Sequence, residues 1–162
     1  MSQSISKSEE GLQEILEGMQ DKLKEYKQLS EKDLQIDEFE LDTALLDTPK
    51  LYSKWIGYHS DETVLLKNLY GYKEEVKLER WKYYQGKQTN EYYAKNGLVH
   101  DKILKTDIDK YLGADSKLNL VNDIIAIQKA IVDLIEKTSK ECSNRGFHIK
   151  NIIEWRKFTQ MG

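Results

Sequence analysis

The sequence predicts a mainly α-helical protein, and three observations favour that class. Apolar residues recur at helical spacing through most of the chain. Its 162 residues include one proline and nine glycines, which leaves long segments without residues that interrupt a helix. Hydrophobic residues make up 39% of the chain and charged residues 33%, a balance typical of long helices with exposed polar faces. We therefore expect an elongated helical subunit with coiled-coil-like helices.

The first predicted helix follows a polar start. Apolar side chains recur from Leu12 to Leu29 on a charged background, which is a helical period. Residues 34–36 then read as a short extended link. Asp37 follows as a predicted N-cap, with Glu40 at the capping-box position. These signals predict one helix, a link and the beginning of a second helix.

A longer helix is predicted from residues 48–49 to about Tyr84. The pair at 48–49 is Thr-Pro, and threonine caps helices while proline suits the first helical position. Residues 60–61 (Ser-Asp) lie midway, and they leave open whether a separate helix begins there. Gly86 follows Tyr84 closely and predicts the end of the helix.

The second half of the chain is predicted to contain a loop and three helices. Residues 86–97 are bracketed by glycines and predict a loop or hairpin tip, followed by a helix near 98–112 and a break at 113–116. The next helix has a heptad pattern of apolar residues, typical of a coiled coil. That seam consists of Leu120, Ile124, Ile127, Ile131 and Leu134. Residues 145–146 (Arg-Gly) are expected to end it, before a last helix over 149–158.

Charge divides the chain into an acidic front and a basic body. Residues 1–50 carry 13 acidic and 6 basic side chains, whereas residues 51–162 carry 15 acidic and 19 basic ones. The asymmetry favours two kinds of contact. The acidic arm at residues 9–47 has two interpretations: it is a solubilising helix pair, or it has a role in contacts, either docking a basic surface of a protein partner or repelling DNA from its side of the assembly.

Nothing in the sequence predicts a secreted or membrane protein. No apolar run approaches the roughly 20 residues of a membrane span, and the N-terminus lacks the profile of a signal peptide. Cys142 is the single cysteine, so no intrachain disulfide can form and a reducing compartment is expected. We expect a soluble, cytoplasmic protein.

Patterns of catalytic and metal sites are missing from the sequence. His59, His100 and His148 have no metal-ligand spacing with each other or with Cys142. The chain has no Walker-type glycine loop, no dinucleotide fingerprint and no nucleophile elbow. We therefore expect a protein that is not an enzyme and that uses no metal and no cofactor.

Basic and aromatic side chains alternate along residues 67–95, which hold six of the ten tyrosines. Cations that neutralise phosphates and rings that stack on bases are the two parts of a surface for single-stranded nucleic acid. The same pattern also fits a solvated helix face paired with glutamates, with the rings in the core. The candidate DNA-binding residues are Lys77, Arg80, Lys82, Tyr83, Tyr84 and Lys87.

The last predicted helix is apolar over more than half of its circumference, whereas one-sided packing needs a stripe about 100° wide. We therefore expect it to be held between its own subunit and a neighbouring one. The alternative is a fully buried core helix. The candidate interface residues are Phe147, Ile149, Ile152, Ile153, Trp155 and Phe158.

Three segments together resemble the UvsY family of recombination mediators from T-even-like phages. They are LYSKW at 51–55, LERWKYYQG at 78–86 and RGFHIKNIIEWRKF at 145–158, in the family's order and with similar spacing. The resemblance covers residues 21–162 and makes residues 1–20 an N-terminal extension, expected to be flexible. One position departs from the pattern, because Leu78 stands where the family has a lysine ahead of the arginine. The neighbouring Lys77 is a candidate substitute, but a step of one residue turns the helix by about 100°, so its side chain has a different direction.

The resemblance implies a function and an assembly. The protein would form a ring-like, heptamer-like homo-oligomer through its C-terminal oligomerisation segment and would bind single-stranded DNA. It would promote loading of a RecA-like phage recombinase onto DNA covered by the phage single-strand-DNA-binding protein, in the cytoplasm of the infected bacterial host. The alternative is a non-enzymatic helical adaptor that links protein partners and contacts DNA only non-specifically.

Overall fold

The structure, a computed structural model, describes residues 7–99 and 103–160. Within these two ranges it consists of helices and connecting segments without β-strands, which confirms the predicted mainly α-helical class. The helices are α1 (Glu9–Leu34), α2 (Leu41–Tyr84), α3 (Asn90–Asn96), α4 (Ile108–Gly113) and α5 (Ser116–Gln160). Of the predicted N-terminal extension, residues 9–20 belong to α1, while residues 1–6 lie outside the described ranges.

The chain forms two compact units. The first unit contains Met1–Met19 and Leu66–Ile127, and the second contains Gln20–Leu65 and Gln128–Gly162. The core of the first unit is aliphatic and draws on α1, α2, α4 and α5. Its buried members are Leu12, Leu16, Met19, Val76, Ile108, Leu112, Leu118, Val121, Ile124 and Ile125. Each such side chain contributes about 1.5–3 kcal/mol when it is fully removed from water.

The second unit has an apolar core that also encloses a polar cluster. Its fully buried residues include Trp55, Ile131, Ile135, Cys142 and Ile149. Among them lies a buried glutamate, Glu62, whose carboxylate accepts hydrogen bonds from Lys22 at 2.9 Å, Tyr26 at 3.0 Å and Gln128 at 2.8 Å. Burial alone would raise the pKa of Glu62, but the hydrogen bonds donated by Gln128 and the other partners lower it.

The predicted beginning of α2 is wrong. The helix begins at Leu41, so Pro49 lies inside it, and residues 60–61 also lie inside it. Leu41 and Ala44 are buried against Ile149, and this burial holds the turns that precede the proline in helical form. Asp37 is not the N-cap, because the helix begins only at Leu41. The Asp37 carboxylate instead accepts a hydrogen bond from the Phe39 amide at 2.8 Å in a turn before the helix.

The predicted loop at 86–97 contains a short helix, α3. Thr89 is its N-cap and accepts a hydrogen bond from the Tyr92 amide at 3.2 Å, and Gly97 ends it at φ +84°. Thr89 and Gly97 are therefore the start and stop signals of a helix. In the sequence, the glycines at both ends of the segment had indicated a loop instead. The predicted helix near 98–112 is shorter than expected, because α4 begins only at Ile108, while residues 100–102 lie outside the described ranges.

Helix α5 does not end at residues 145–146, as the sequence had predicted. It continues to Gln160, so the expected last helix is part of α5. Arg145 donates a hydrogen bond to the main-chain carbonyl of Asp33, and Ile149 is fully buried, so tertiary contacts lie on both sides of Gly146. A glycine inside a helix costs about 1 kcal/mol relative to alanine, less than these contacts contribute.

Candidate nucleic-acid interface

The C-terminal end of α2 has a defined turn. The Gly86 amide donates to the Tyr83 carbonyl at 3.1 Å, and the Lys87 amide donates to the Lys82 carbonyl at 2.9 Å. Together with the φ of +71° at Gly86, these bonds form a Schellman motif, in which the chain reverses past the helix end. The reversal places the Lys87 amine 5.0 Å from the centroid of the Trp81 ring.

Arg80 is engaged within the first unit. Its Nε donates to the Asp115 carboxylate at 2.6 Å, and the Tyr84 hydroxyl donates to the same carboxylate at 2.7 Å. The other oxygen of Asp115 accepts from the Leu118 amide at 2.9 Å, so Asp115 also caps α5. Burial alone would lower the pKa of Arg80, but its bond to Asp115 raises it, so the guanidinium stays charged while its side chain is only 12% exposed.

A second acidic residue extends this cluster. The Glu79 carboxylate accepts from the Tyr92 hydroxyl at 2.6 Å and from the Lys117 amine at 2.8 Å. Arg80 donates to the Tyr92 hydroxyl at 3.3 Å, which joins the two carboxylates into one network. Burial and the bond to Glu79 raise the pKa of Tyr92 to about 12. The Tyr92 hydroxyl therefore keeps its proton at neutral pH.

The two predicted stacking tyrosines are partly buried beside this network. The ring of Tyr83 is stacked on that of Tyr93 at a centroid distance of 5.6 Å, and the Arg80 guanidinium lies 4.2 Å from its centroid. The ring of Tyr84 lies 5.2 Å from that of Tyr83 and 5.6 Å from that of Tyr111. These rings form an aromatic cluster that supports the end of α2.

A basic face of α2 lies next to the cluster and is open to solvent. Lys77, Leu78 and Lys82 are exposed, and neither lysine forms an ion pair with any of residues 7–99 and 103–160. Leu78 leaves 53% of its surface exposed. The exposed cations around the end of α2 are Lys77 and Lys82 on the helix and Lys87 in the turn that follows it, and Glu74 lies beside Lys77.

The structure thus divides the six predicted DNA-binding residues into two groups. The three lysines are exposed around the end of α2, whereas Arg80, Tyr83 and Tyr84 belong to the partly buried network. Sequence reasoning missed Asp115, which holds that network together. Its position directly before a long apolar helix was a signal for an N-cap, although nothing nearby in sequence indicated its partner Arg80.

The C-terminal part of α5 has two apolar sides. Ile149 is buried with Leu41 and Ala44, and Ile152 and Ile153 pack against this cluster. The remaining candidate interface residues lie outside it. They are Phe147 (70% exposed), Trp155 (67%) and Phe158 (75%). Three large apolar side chains therefore remain uncovered within the second unit.

The described part of the chain shows neither a metal site nor a membrane span. Within residues 7–99 and 103–160, no group of three or more His, Cys, Asp and Glu side chains is placed to hold a metal ion, and His100 lies outside these ranges. None of the helices in these ranges is long and apolar enough to span a membrane.

Comparison with known proteins identifies the family. The family model described as "Recombination, repair and ssDNA binding protein UvsY" matches residues 29–161. The chain belongs to the UvsY family. It is 26% identical over 143 residues to the recombination protein uvsY of Enterobacteria phage T4, covering 88% of this chain and 96% of that protein. The family predicted from the three sequence segments is therefore confirmed.

Solved structures share the fold. Two crystal structures of the bacteriophage T4 recombination mediator protein UvsY match the chain. In lattice type II the TM-score is 0.71 at 23% identity, covering 85% of this chain and 96% of the other. In lattice type IV it is 0.72 at 24% identity, covering 84% and 98%. At these identities the similarity establishes the fold, and the family's description adds recombination, repair and single-stranded DNA binding.

Proposed function

We propose that this protein is a recombination mediator without catalytic activity of its own. It binds single-stranded DNA and promotes loading of a RecA-like recombinase onto DNA covered by single-strand-binding protein, during phage recombination and repair in the host cytoplasm. The observation that carries the proposal is the exposed basic face at the end of α2, in a chain of the UvsY family. The recombinase and the single-strand-binding protein enter as partners by family resemblance.

In this proposal Lys77, Lys82 and Lys87 contact phosphates. Their amines are exposed, whereas the Arg80 charge is largely compensated by Asp115. The other three predicted residues support the site from beneath the lysines: they are Arg80, Tyr83 and Tyr84. Their contacts fix the end of α2 and thereby the positions of the lysines. Each phosphate contact adds to the salt dependence of binding, so the affinity of one subunit is expected to be weak and to fall with salt.

Assembly compensates for this weakness. Phe147, Trp155 and Phe158 are exposed on α5 while Ile149 is buried in the subunit's own core, which supports a ring-like homo-oligomer formed through the outer side of residues 145–158. Several copies of the lysine face then bind one strand. Once one copy is bound, the effective concentration of the others is high, which raises the overall affinity about a hundredfold or more.

The test is a titration of fluorescent oligo-dT and a matched duplex, followed by anisotropy at two salt concentrations. We expect tighter binding of the single strand and a steep fall with salt. The K77A/K82A variant should bind oligo-dT at least tenfold more weakly and with a shallower salt slope, because two phosphate contacts per subunit are removed. K27A/K137A removes the same charge from exposed lysines outside residues 67–95 and serves as the control.

Two results would contradict the proposal. Equal affinities of K77A/K82A and K27A/K137A would show that the α2 face does not bind DNA. Weak binding of both strands by the unmodified protein would favour the helical adaptor instead. A positive result leads to the mediator assay, in which the protein should accelerate recombinase assembly on DNA covered by single-strand-binding protein, and K77A/K82A should not.

A further inference from the structure

One ring near the end of α2 takes no part in the aromatic cluster. Trp81 is only partly buried, and it makes no ring–ring contact with any residue of the described ranges 7–99 and 103–160. Tyr83 and Tyr84, by contrast, pack on other tyrosines and on the Arg80 guanidinium. Trp81 therefore differs from Tyr83 and Tyr84 in having no ring packed on it, and its indole lines an open groove.

A groove of about 300 Å³ lies beside the Trp81 indole. Glu74, Lys77 and Leu78 form the rest of its lining. With Trp81 these positions follow an i, i+3, i+4, i+7 pattern, so they share one face of α2. Leu78 is 53% exposed, and its side chain and the indole give the groove an apolar floor.

Three lysines lie around this floor, against one acidic residue, Glu74, in its lining. Lys77 lines the groove, Lys82 lies one turn after Leu78 on the same helix, and the Lys87 amine lies 5.0 Å from the centroid of the Trp81 ring. A flat apolar surface bordered by cations is complementary to a nucleotide, which has an apolar base face and an anionic phosphate. A single strand presents its base faces, whereas a duplex hides them in the stack.

We propose that this groove is a stacking site for one base of single-stranded DNA. The base lies on Trp81 and Leu78, while Lys77 and Lys82 hold the neighbouring phosphates. The proposal rests on the single-strand DNA binding proposed above, and it assigns base stacking to Trp81 rather than to Tyr83 or Tyr84. It also explains what Leu78 does at a position where the family has a lysine: it replaces one phosphate contact with apolar surface for a base.

The experiment compares two strands of equal length and charge, oligo-dT and an abasic oligodeoxynucleotide. W81L should weaken oligo-dT binding about fivefold to a hundredfold and leave binding of the abasic strand unchanged, because stacking is lost while the phosphate contacts remain. W81F keeps a ring and should recover most of the affinity. Since stacking involves no counterion release, the factor lost in W81L should stay constant as salt rises.

K77A/K82A provides the contrast, because it should weaken binding of both strands. Y52L removes an exposed ring elsewhere on α2 and should bind both strands like the unmodified protein. Far-UV circular dichroism of each variant checks that the helices are intact.

The stacking proposal is overturned if W81L binds oligo-dT as the unmodified protein does, if it loses both strands equally, or if Y52L loses oligo-dT to the same extent. In those cases a defect of K77A/K82A would still support DNA binding at the lysine face. Conversely, a selective loss in W81L with normal binding by K77A/K82A would retain the stacking site and refute the assignment of the phosphate contacts.

Discussion

Replacing Asp115 by alanine tests whether one carboxylate organises the end of α2. The Arg80 side chain is only 12% exposed, and the change removes the Asp115 carboxylate that lies 2.6 Å from its Nε. The Arg80 charge then has no ionic partner. Breaking one half of a buried ion pair costs about 3–5 kcal/mol. The loss of the α5 cap at Leu118 adds about 1 kcal/mol, although the two contributions share one side chain and do not simply add. We expect D115A to lower the free energy of unfolding by about 3–5 kcal/mol.

The assay is urea unfolding followed by far-UV circular dichroism, with the slope against urea compared between variants. D109A removes an exposed aspartate from α4 and should change the free energy of unfolding by no more than about 0.5 kcal/mol. D115N keeps an oxygen that can cap α5 but removes the charge, so it should retain the cap and lose most of the stabilisation by Arg80.

A double variant separates an unpaired charge from a lost contact. In R80M/D115L both partners become apolar, and replacing a buried ion pair in this way is often neutral for stability. The double variant should therefore be more stable than D115A. If D115A were as stable as D109A, the Arg80–Asp115 pair would contribute nothing, and the supporting role proposed for this network would be wrong.

Two further predictions concern the second unit. F158E places a charge on the exposed apolar side of α5 and should give particles of lower mass by light scattering with an unchanged helical spectrum; an unchanged mass would contradict the interface. The pKa of Glu62 is lowered in the folded state, so its contribution to stability is complete above its unfolded pKa near 4.5 and is lost as the pH falls through the lower folded value. E62Q should therefore be less stable than the unmodified protein at pH 7, and its stability should decline less as the pH falls below about 4.5. Parallel declines of the two proteins in urea unfolding would count against this role of Glu62.

Several helix boundaries could be predicted because their signals are local. The end of α2 follows from Gly86, which takes the positive φ that few other residues adopt, and the break between α4 and α5 was predicted at the right place. The family could be identified from three short segments in order. Local signals failed at Pro49 and Gly146, because burial of Leu41, Ala44 and Ile149 keeps both positions helical despite their low propensity.

The sequence by itself determined that residues 67–95 carry cations and rings, that those up to Tyr84 lie on a helix, and which of these share a face of that helix. The tertiary structure decided their roles. Asp115 lies 35 residues after Arg80, and their contact withdraws Arg80 and Tyr84 into the first unit while Lys77 and Lys82 stay exposed. Helical periodicity relates neighbours three or four residues apart, but the side of a helix that other elements cover depends on long-range packing, which the local pattern does not encode.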